Sequence, residues 1–274
     1  MPSPNKRMCV FGDSHFACIK SAYDQGLVEA EGVDIEFWGN IGKVFRRLTW
    51  RNDQVEPMDE FAKNRFAKTN EFGRTALNAG DFDMILFQGC RVDLYRLFPE
   101  LLHRRRTPEA HLSPAVERRW VHDFLLRLPP YHFARNLAAQ QSAQIVLSPI
   151  SFNTEGIEPE IPSNFASAED ATSTDRADLW SVVADIMKSD GIALLSQPDN
   201  TVVAGCCTHP DFAVRNYLER GDKTHKNPAF GALVINAAIK MLHRKTALKP
   251  KPTRKKTVAP RPAASRMTTA NLQS

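Results

Sequence analysis

Short apolar segments alternate with longer segments of helical periodicity along this chain, and this alternation constrains the fold more than any other feature of the sequence. The short segments have the pattern of buried strands, and the longer ones that of amphipathic helices. The predicted strands are 8–13, 33–38, 84–88, 144–148 and 192–196. The predicted helices are 14–30, 114–141 with a break at 129–130, 175–189 and 227–243. Alternation of this kind predicts parallel βαβ units, and therefore an α/β fold with a mainly parallel five-stranded sheet between helices.

A three-layer, flavodoxin-like sandwich of this type binds its ligands beyond the carboxyl ends of the strands. The residues that follow the predicted strands are therefore the first candidates for a functional site. They lie at 12–15, 39–40, 89–91 and 148–151.

The chain is predicted to contain one domain, at 6–245, and a disordered basic tail, at 246–274, where hydrophobic periodicity ends. Residues 43–78 are polar and poorly periodic, which indicates an insertion or cap at about 43–80. Its aromatic residues would either pack the cap or form a platform for substrate. They are Phe45, Trp50, Phe61, Phe66 and Phe72.

The formal net charge of +5 is unevenly distributed along the chain. Residues 244–274 hold nine of the 36 Lys and Arg residues and no Asp or Glu, which leaves 27 basic and 31 acidic residues in the remainder. A mildly acidic body argues against a nucleic-acid-binding domain, because such domains are basic in their folded part. The basic tail is predicted to bind a polyanion or an anionic surface.

The longest apolar runs, at 84–87 and 192–195, are far shorter than the ~20 residues of a membrane-spanning helix, so no transmembrane segment is predicted. The first seven residues lead into a strand without a hydrophobic signal segment, and we therefore expect a cytoplasmic protein. The cysteines fit neither a disulfide framework nor a metal-ligand spacing, which predicts free, mostly buried thiols and no cofactor. They are Cys9, Cys18, Cys90, Cys206 and Cys207.

The sharpest motif is Gly12-Asp13-Ser14-His15, at the end of the first predicted strand and the start of a helix. The hydroxyl of Ser14 would lie at the mouth of the sheet. Its backbone N–H would lie at a helix N-terminus, where the helix dipole favours a developing oxyanion. The motif predicts Ser14 as a nucleophile, and the alternative is that Ser14 only caps the helix.

A second motif, Asp222-Lys223-Thr224-His225, immediately precedes the last predicted helix. A serine hydroxyl needs a general base near neutral pH, and imidazole performs this task when a carboxylate fixes its tautomer. The motif therefore predicts His225 as the base and Asp222 as its orienting acid. The alternative is a solvated loop with a helix-capping aspartate.

Together the two motifs resemble those of the SGNH (GDSL-like) hydrolase superfamily, in which a GDS motif supplies the nucleophile and a C-terminal DxxH supplies the acid and the base. The resemblance spans roughly 6–245, and its motifs are short. It implies a fold of the SGNH-hydrolase type, with Ser14 as nucleophile, His225 as base and Asp222 as acid. It also implies an oxyanion hole built from the backbone N–H groups of Ser14 and of Gly39, the glycine after the second strand.

The third family motif, Gly-x-Asn-Asp, is replaced here by Gly89-Cys90-Arg91-Val92. Arg91 stands where the family has an asparagine that donates to the oxyanion. Its guanidinium would donate to the oxyanion, bind a substrate carboxylate or sulfate, or point to solvent. Asn40 is the rival for the missing amide donor. His15 and His209 are further candidates for substrate binding, although His209 also has the composition of a surface turn.

These residues predict a serine-dependent esterase that acts on an O-acylated substrate, and the family resemblance implies that the substrate is a carbohydrate. If a sugar hydroxyl replaces water, the same triad predicts an O-acyltransferase. The alternative from another class is a non-catalytic SGNH-like protein that uses Arg91 and the insertion to bind an anionic glycan.

Overall fold

Five parallel strands form the central sheet of the computed structural model, which describes residues 5–158 and 161–247. In chain order the strands are β1 (Lys6–Gly12), β2 (Val33–Gly39), β3 (Leu48–Arg51), β4 (Gln54–Pro57), β5 (Met84–Gly89), β6 (Gln144–Pro149), β7 (Ile192–Leu194), β8 (Val202–Val203) and β9 (Cys207–Thr208). The sheet order is β2-β1-β5-β6-β7, and the antiparallel pairs β3–β4 and β8–β9 lie outside it. The structure confirms the predicted parallel five-stranded sheet.

Helices cover both faces of the sheet. In the described residues they are α1 (Ala17–Asp24), α2 (Gly42–Phe45), α3 (Glu60–Thr69), α4 (Phe98–Arg106), α5 (Pro114–Leu126), α6 (Pro129–Ala139), α7 (Ser173–Ser189), α8 (Tyr217–Arg220) and α9 (Pro228–Ala247). None of these described helices combines the length and the apolar character needed to cross a membrane.

Two apolar clusters, one on each face of the sheet, form the core. Successive residues of a strand point to opposite faces, so Met8 and Val10 of β1 lie in one cluster and Cys9 and Phe11 in the other. The first cluster includes apolar residues of α1 and α9, such as Ile235. The second includes residues of α4, α5, α6 and α7. This arrangement is the predicted three-layer α/β sandwich.

The helices confirm most of the sequence prediction but differ at several boundaries. The helical segment at 114–141 breaks into α5 and α6 where the prolines predicted it, and Pro129 is the first residue of α6. The predicted helix at 14–30 is shorter, because α1 ends at Asp24 and Gly26 adopts a left-handed φ of 70° just beyond it. The last helix continues to Ala247, and residues 248–274 of the predicted tail lie outside the described residues.

The predicted insertion folds into α2, the β3–β4 hairpin and α3, and it contributes to the core. Phe45 and Phe66 are buried, and the ring of Phe66 stacks on Trp38 of β2 at a centroid distance of 4.6 Å. Phe61 and Phe72 are exposed. Packing therefore accounts for Phe45 and Phe66, in agreement with the first of the two predicted uses of these aromatic residues.

The cysteines are all buried, as predicted, and Cys9, Cys18, Cys90 and Cys206 are free thiols. Burial disfavours the charged thiolate, and it raises the pKa of Cys18 to about 12. The same effect holds the pKa values of Cys9 and Cys90 well above the usual range. These thiols stay protonated near neutral pH and are poor nucleophiles.

Candidate active site

Two segments that are 211 residues apart in the chain meet beyond the carboxyl end of β1. Oγ of Ser14 lies 2.9 Å from Nε2 of His225. On the other side of the same ring, Nδ1 lies 2.9 Å from Oδ1 and 3.0 Å from Oδ2 of Asp222. Ser14, His225 and Asp222 therefore form one continuous chain of hydrogen bonds.

Close packing of α1 against α9 brings these segments together, because Ser14 lies just before α1 and His225 just before α9. Gly231, near the start of α9, allows the two helices to approach. A Cβ at this position would lie only 2.2 Å from the carbonyl oxygen of Cys18 in α1. Any larger residue would force the helices apart and disturb the contact between Ser14 and His225.

The turn that presents Ser14 is held by the buried carboxylate of Asp13, which accepts a hydrogen bond of 3.2 Å from the His15 N–H. Burial raises the pKa of Asp13, and the His15 N–H and the charge of Arg91 limit the rise. Asp13, and not Ser14, is the cap of this 3-10 turn, which answers the alternative role considered for Ser14. Because Ser14 is the first residue of the turn, its own N–H has no partner inside it.

A tight turn places Asp222 beneath the ring of His225, since Oδ1 of Asp222 also accepts a hydrogen bond of 3.2 Å from the His225 N–H. Burial works against the charged form of Asp222, but the hydrogen bonds from the His225 backbone and ring outweigh it and lower the pKa of Asp222. An ionised carboxylate has only acceptors, so Nδ1 of His225 carries the hydrogen and Nε2 accepts from the Ser14 hydroxyl. This is the tautomer that a general base requires.

Lys226 fixes the loop that carries Asp222 and His225. Its Nζ donates to the carbonyl oxygens of Lys223 and Thr224, at 3.2 and 3.1 Å, and to Oγ1 of Thr154, at 3.1 Å. The side chain is buried, and burial lowers the pKa of Lys226 to about 7. Sequence reasoning did not identify Lys226, although it directly follows the DxxH motif.

The imidazole of His15 stacks on that of His225, with ring centroids 4.8 Å apart and an angle of 19° between the planes. Burial is the main cause that lowers the pKa of His15 to about 3, and the nearby His225 adds to it. His15 is therefore neutral near pH 7. Its uncharged ring packs against the ring of His225 and helps to fix the orientation of that ring.

The predicted oxyanion donors after β2 do not fit the structure. The N–H of Asn40 donates to the carbonyl oxygen of Gly12 in β1 at 3.2 Å, so the N–H of the preceding Gly39 points to the opposite side of β2. On that side the Gly39 carbonyl accepts from Thr69 of α3 at 2.7 Å. The Asn40 side chain is buried and donates to the carbonyl oxygen of Arg65 at 3.0 Å. The Asn40 amide is thus committed to α3, and the Gly39 N–H points away from β1.

Gly42 and Arg91 offer other donors, and the charge of Arg91 lies near enough to lower the pKa values of Asp13 and His15. Gly42 is the first residue of α2, so its N–H has no partner inside that helix. Nη1 of Arg91 lies 2.9 Å from the point that a Cβ on Gly42 would occupy. Cys90 and Arg91 adopt left-handed φ angles of 49° and 58°, which are uncommon for residues other than glycine. Sequence reasoning missed Gly42, whose signal is a glycine at the start of the helix after β2.

A pocket of about 420 Å³ opens beside Ser14. The turn before α1, together with α1, forms one wall, and residues 214–228 form the other. His15 and His225 line this pocket, and so do Arg215 and Arg220, which sequence reasoning did not select. The side chains of Arg91 and the insertion lie outside its lining.

His209 is also absent from the lining of this pocket in the described part of the chain. Its Nδ1 accepts a hydrogen bond of 3.2 Å from the Asp211 N–H and caps the 3-10 turn Pro210–Phe212. The structure therefore places His209 in a surface turn, and the predicted role in substrate binding is not supported.

Comparisons with known proteins find distant similarity in structure. No protein-family model matches it, and no curated protein matches it. An extracellular lipase from Streptomyces rimosus is similar in structure, with 9% sequence identity, a TM-score of 0.42, and coverage of 86% of this chain and 99% of the lipase. A DUF4886 family protein from Bacteroides uniformis has 12% identity and a TM-score of 0.36, with 92% of this chain and 88% of that protein covered. TM-scores this low support no conclusion about function, so the function is inferred from the residues and geometry of the site.

Proposed function

We propose that this protein is a serine-dependent esterase that acts on an O-acylated substrate. Ser14 is the nucleophile, His225 is the general base, and Asp222 is the carboxylate that orients His225. The hydrogen-bond chain from Ser14 Oγ through His225 to Asp222 carries the proposal, because it supplies each group that acyl transfer to a serine requires.

In the first half of the reaction, Oγ of Ser14 attacks the carbonyl carbon of the ester while its proton passes to Nε2 of His225. The negative charge of Asp222 stabilises the imidazolium that forms. The tetrahedral intermediate then collapses, the alcohol leaves with the proton from Nε2, and the acyl group remains on Ser14.

Stabilisation of the oxyanion falls to the N–H groups of Ser14 and Gly42, each of which begins a helical turn and has no partner within that turn. Arg91 stands beside Gly42 and adds a positive charge at this end of the site. In this proposal Gly42 takes the role first predicted for Gly39, and Arg91 takes that of the family asparagine.

In the second half, water attacks the acyl group with His225 again as base, and the carboxylic acid leaves from Ser14. A sugar hydroxyl in place of water would complete an O-acyl transfer through the same intermediate. We also propose a carbohydrate as the group that bears the ester, on the resemblance of the two motifs to the SGNH superfamily.

Hydrolysis of p-nitrophenyl acetate by wild type, Ser14→Ala and Ser21→Ala tests the proposal. Ser21 lines the same pocket without contacting His225 in the described residues, which makes Ser21→Ala the matched control. We expect Ser14→Ala to lower kcat by about 10⁴-fold or more and Ser21→Ala to retain activity. Equal turnover by wild type and Ser14→Ala would contradict the proposal, and a wild type without turnover would favour a non-catalytic binding protein.

A further inference from the structure

Two arginines at the pocket beside Ser14 pair with no other side chain in the described part of the chain. Arg215 and Arg220 both line this pocket and are exposed. Within residues 5–158 and 161–247, neither guanidinium takes part in an ion pair or a side-chain hydrogen bond. Arg105 and Arg176, by contrast, are ion-paired to Glu117 and Asp199. Within these residues, the two positive charges therefore form no interaction that stabilises the fold.

Both arginines belong to the loop that carries the acid and the base. An antiparallel bridge between Ala213 and Lys226 closes this loop at its base. Within it, Arg215 precedes α8 and Arg220 is the last residue of α8, two positions before Asp222. Groups bound by the two guanidiniums would therefore lie next to the residues that perform the proposed chemistry.

The loop is built to hold α8 in a fixed place. Asn216 and Gly221, on either side of α8, have left-handed φ angles of 58° and 61°. The Tyr217 hydroxyl donates to the carbonyl oxygen of Glu155 at 3.0 Å, and the Asp222 N–H donates to the Tyr217 carbonyl at 2.9 Å. The backbone that carries both arginines is thus anchored before any ligand binds, which reduces the ordering cost of binding.

The charges in the pocket favour an anion. Of the described residues that line it, Asp222 is the one carboxylate, and it is already bound to His225. Arg215 and Arg220 each present a planar guanidinium group, whose N–H donors bind oxyanions. An anion in this pocket would meet two guanidiniums and no free acidic side chain.

We propose that Arg215 and Arg220 form a subsite for an oxyanion group of the substrate, either a carboxylate or a phosphate, close to the ester that Ser14 attacks. This inference rests on the proposed esterase function and names the class of substrate: an acidic ester. Guanidinium groups bind carboxylate and phosphate oxygens through paired hydrogen bonds, which fix the orientation of the ligand as well as its affinity.

Binding to the Ser14→Ala protein tests the subsite without turnover. The probes are 4-acetoxybenzoate and 4-acetoxyphenyl phosphate, each compared by calorimetry with the neutral methyl 4-acetoxybenzoate. We expect at least one anion to bind roughly tenfold or more tightly than the neutral ester, because charge-assisted pairs are strong. Whichever anion is preferred identifies the oxyanion that the subsite accepts.

Adding Arg215→Gln or Arg220→Gln to Ser14→Ala should lower this preference about tenfold each, whereas Arg118→Gln, at an exposed arginine on α5, should keep it. Melting temperatures of the variants check that each protein is folded. Equal affinity for the anions and the neutral ester, or a preference that both glutamine variants retain, would overturn the subsite.

The proposed esterase function is measured separately, as hydrolysis of methyl 4-acetoxybenzoate by wild type and Ser14→Ala. Anion preference without Ser14-dependent hydrolysis would support the subsite and refute the esterase. Hydrolysis without anion preference would refute the subsite alone.

Discussion

Replacing Asp222 by asparagine removes one negative charge from the site with almost no change of shape. Both carboxylate oxygens now lie within 3.0 Å of Nδ1 of His225, and one of them also accepts from the His225 N–H. An asparagine could accept from the backbone N–H and keep the turn. Its amide group, however, cannot stabilise the imidazolium that forms when His225 takes the proton of Ser14.

The expected decrease in kcat follows from the lost negative charge. Two unit charges about 4 Å apart interact by ~4 kcal/mol at the effective dielectric constant of a partly exposed site. Loss of this amount from the transition state corresponds to a decrease in kcat of roughly 10³-fold. A flipped amide that donates to Nδ1 would impose the wrong tautomer and deepen the decrease to about 10⁴-fold.

The assay is the hydrolysis of p-nitrophenyl acetate at saturating substrate, with Asp211→Asn as the matched control. Asp211 stands in the turn before the catalytic loop, is exposed, and faces His209 instead of His225. We expect Asp211→Asn to retain full activity. If Asp222→Asn were silent and Asp211→Asn inactivated the protein, the assignment of the acid would be wrong.

Substitutions at three further positions test the surroundings of the site. His15→Phe should keep most of kcat because it preserves the ring stacked on His225, whereas His15→Ala should lower kcat up to about tenfold in the same assay. Gly231→Ala should lower the free energy of unfolding by ~1–3 kcal/mol in urea, although alanine favours helices, because its Cβ has no room against Cys18. A stability equal to that of wild type would refute this packing argument. With its pKa lowered from 10.5 to about 7, Lys226 is deprotonated in the folded protein at pH values where the unfolded chain keeps the proton. The wild type should therefore gain stability relative to Lys226→Met between about pH 7 and 10, by up to ~1.4 kcal/mol per pH unit, and a constant difference would contradict the burial effect.

The sequence predicts the sheet well because parallel strands buried on both faces have a strong local signal. The segments that became β1, β5 and β6 are short, apolar and bounded by turn residues, so their positions follow from the chain itself. Helix α4 escaped prediction because its last four residues are basic and hide its apolar face. In the structure Arg105 of this stretch is ion-paired to Glu117 of α5, and this pairing has no local signal.

The proposed nucleophile, base and acid could be found in the sequence because they occupy two short motifs, and the structure brings Ser14, His225 and Asp222 into hydrogen-bond contact. The oxyanion donors were not predictable in the same way. Whether the N–H of Gly39 points toward or away from β1 depends on the strand register, which a single sequence does not reveal. Arg215 and Arg220 were missed for a similar reason, because a sequence does not show which residues of the fold face a charged residue in a loop.

Covalent labelling with a fluorophosphonate probe, followed by intact-mass measurement and peptide mapping, tests the central claim most directly. The probe reacts with a serine that a neighbouring base activates, and it needs no knowledge of the natural substrate. We predict a single adduct on wild type, located at Ser14, absent from Ser14→Ala and strongly reduced in His225→Ala. A wild type that remains unlabelled, or a Ser14→Ala protein that still takes up the probe, would contradict the account.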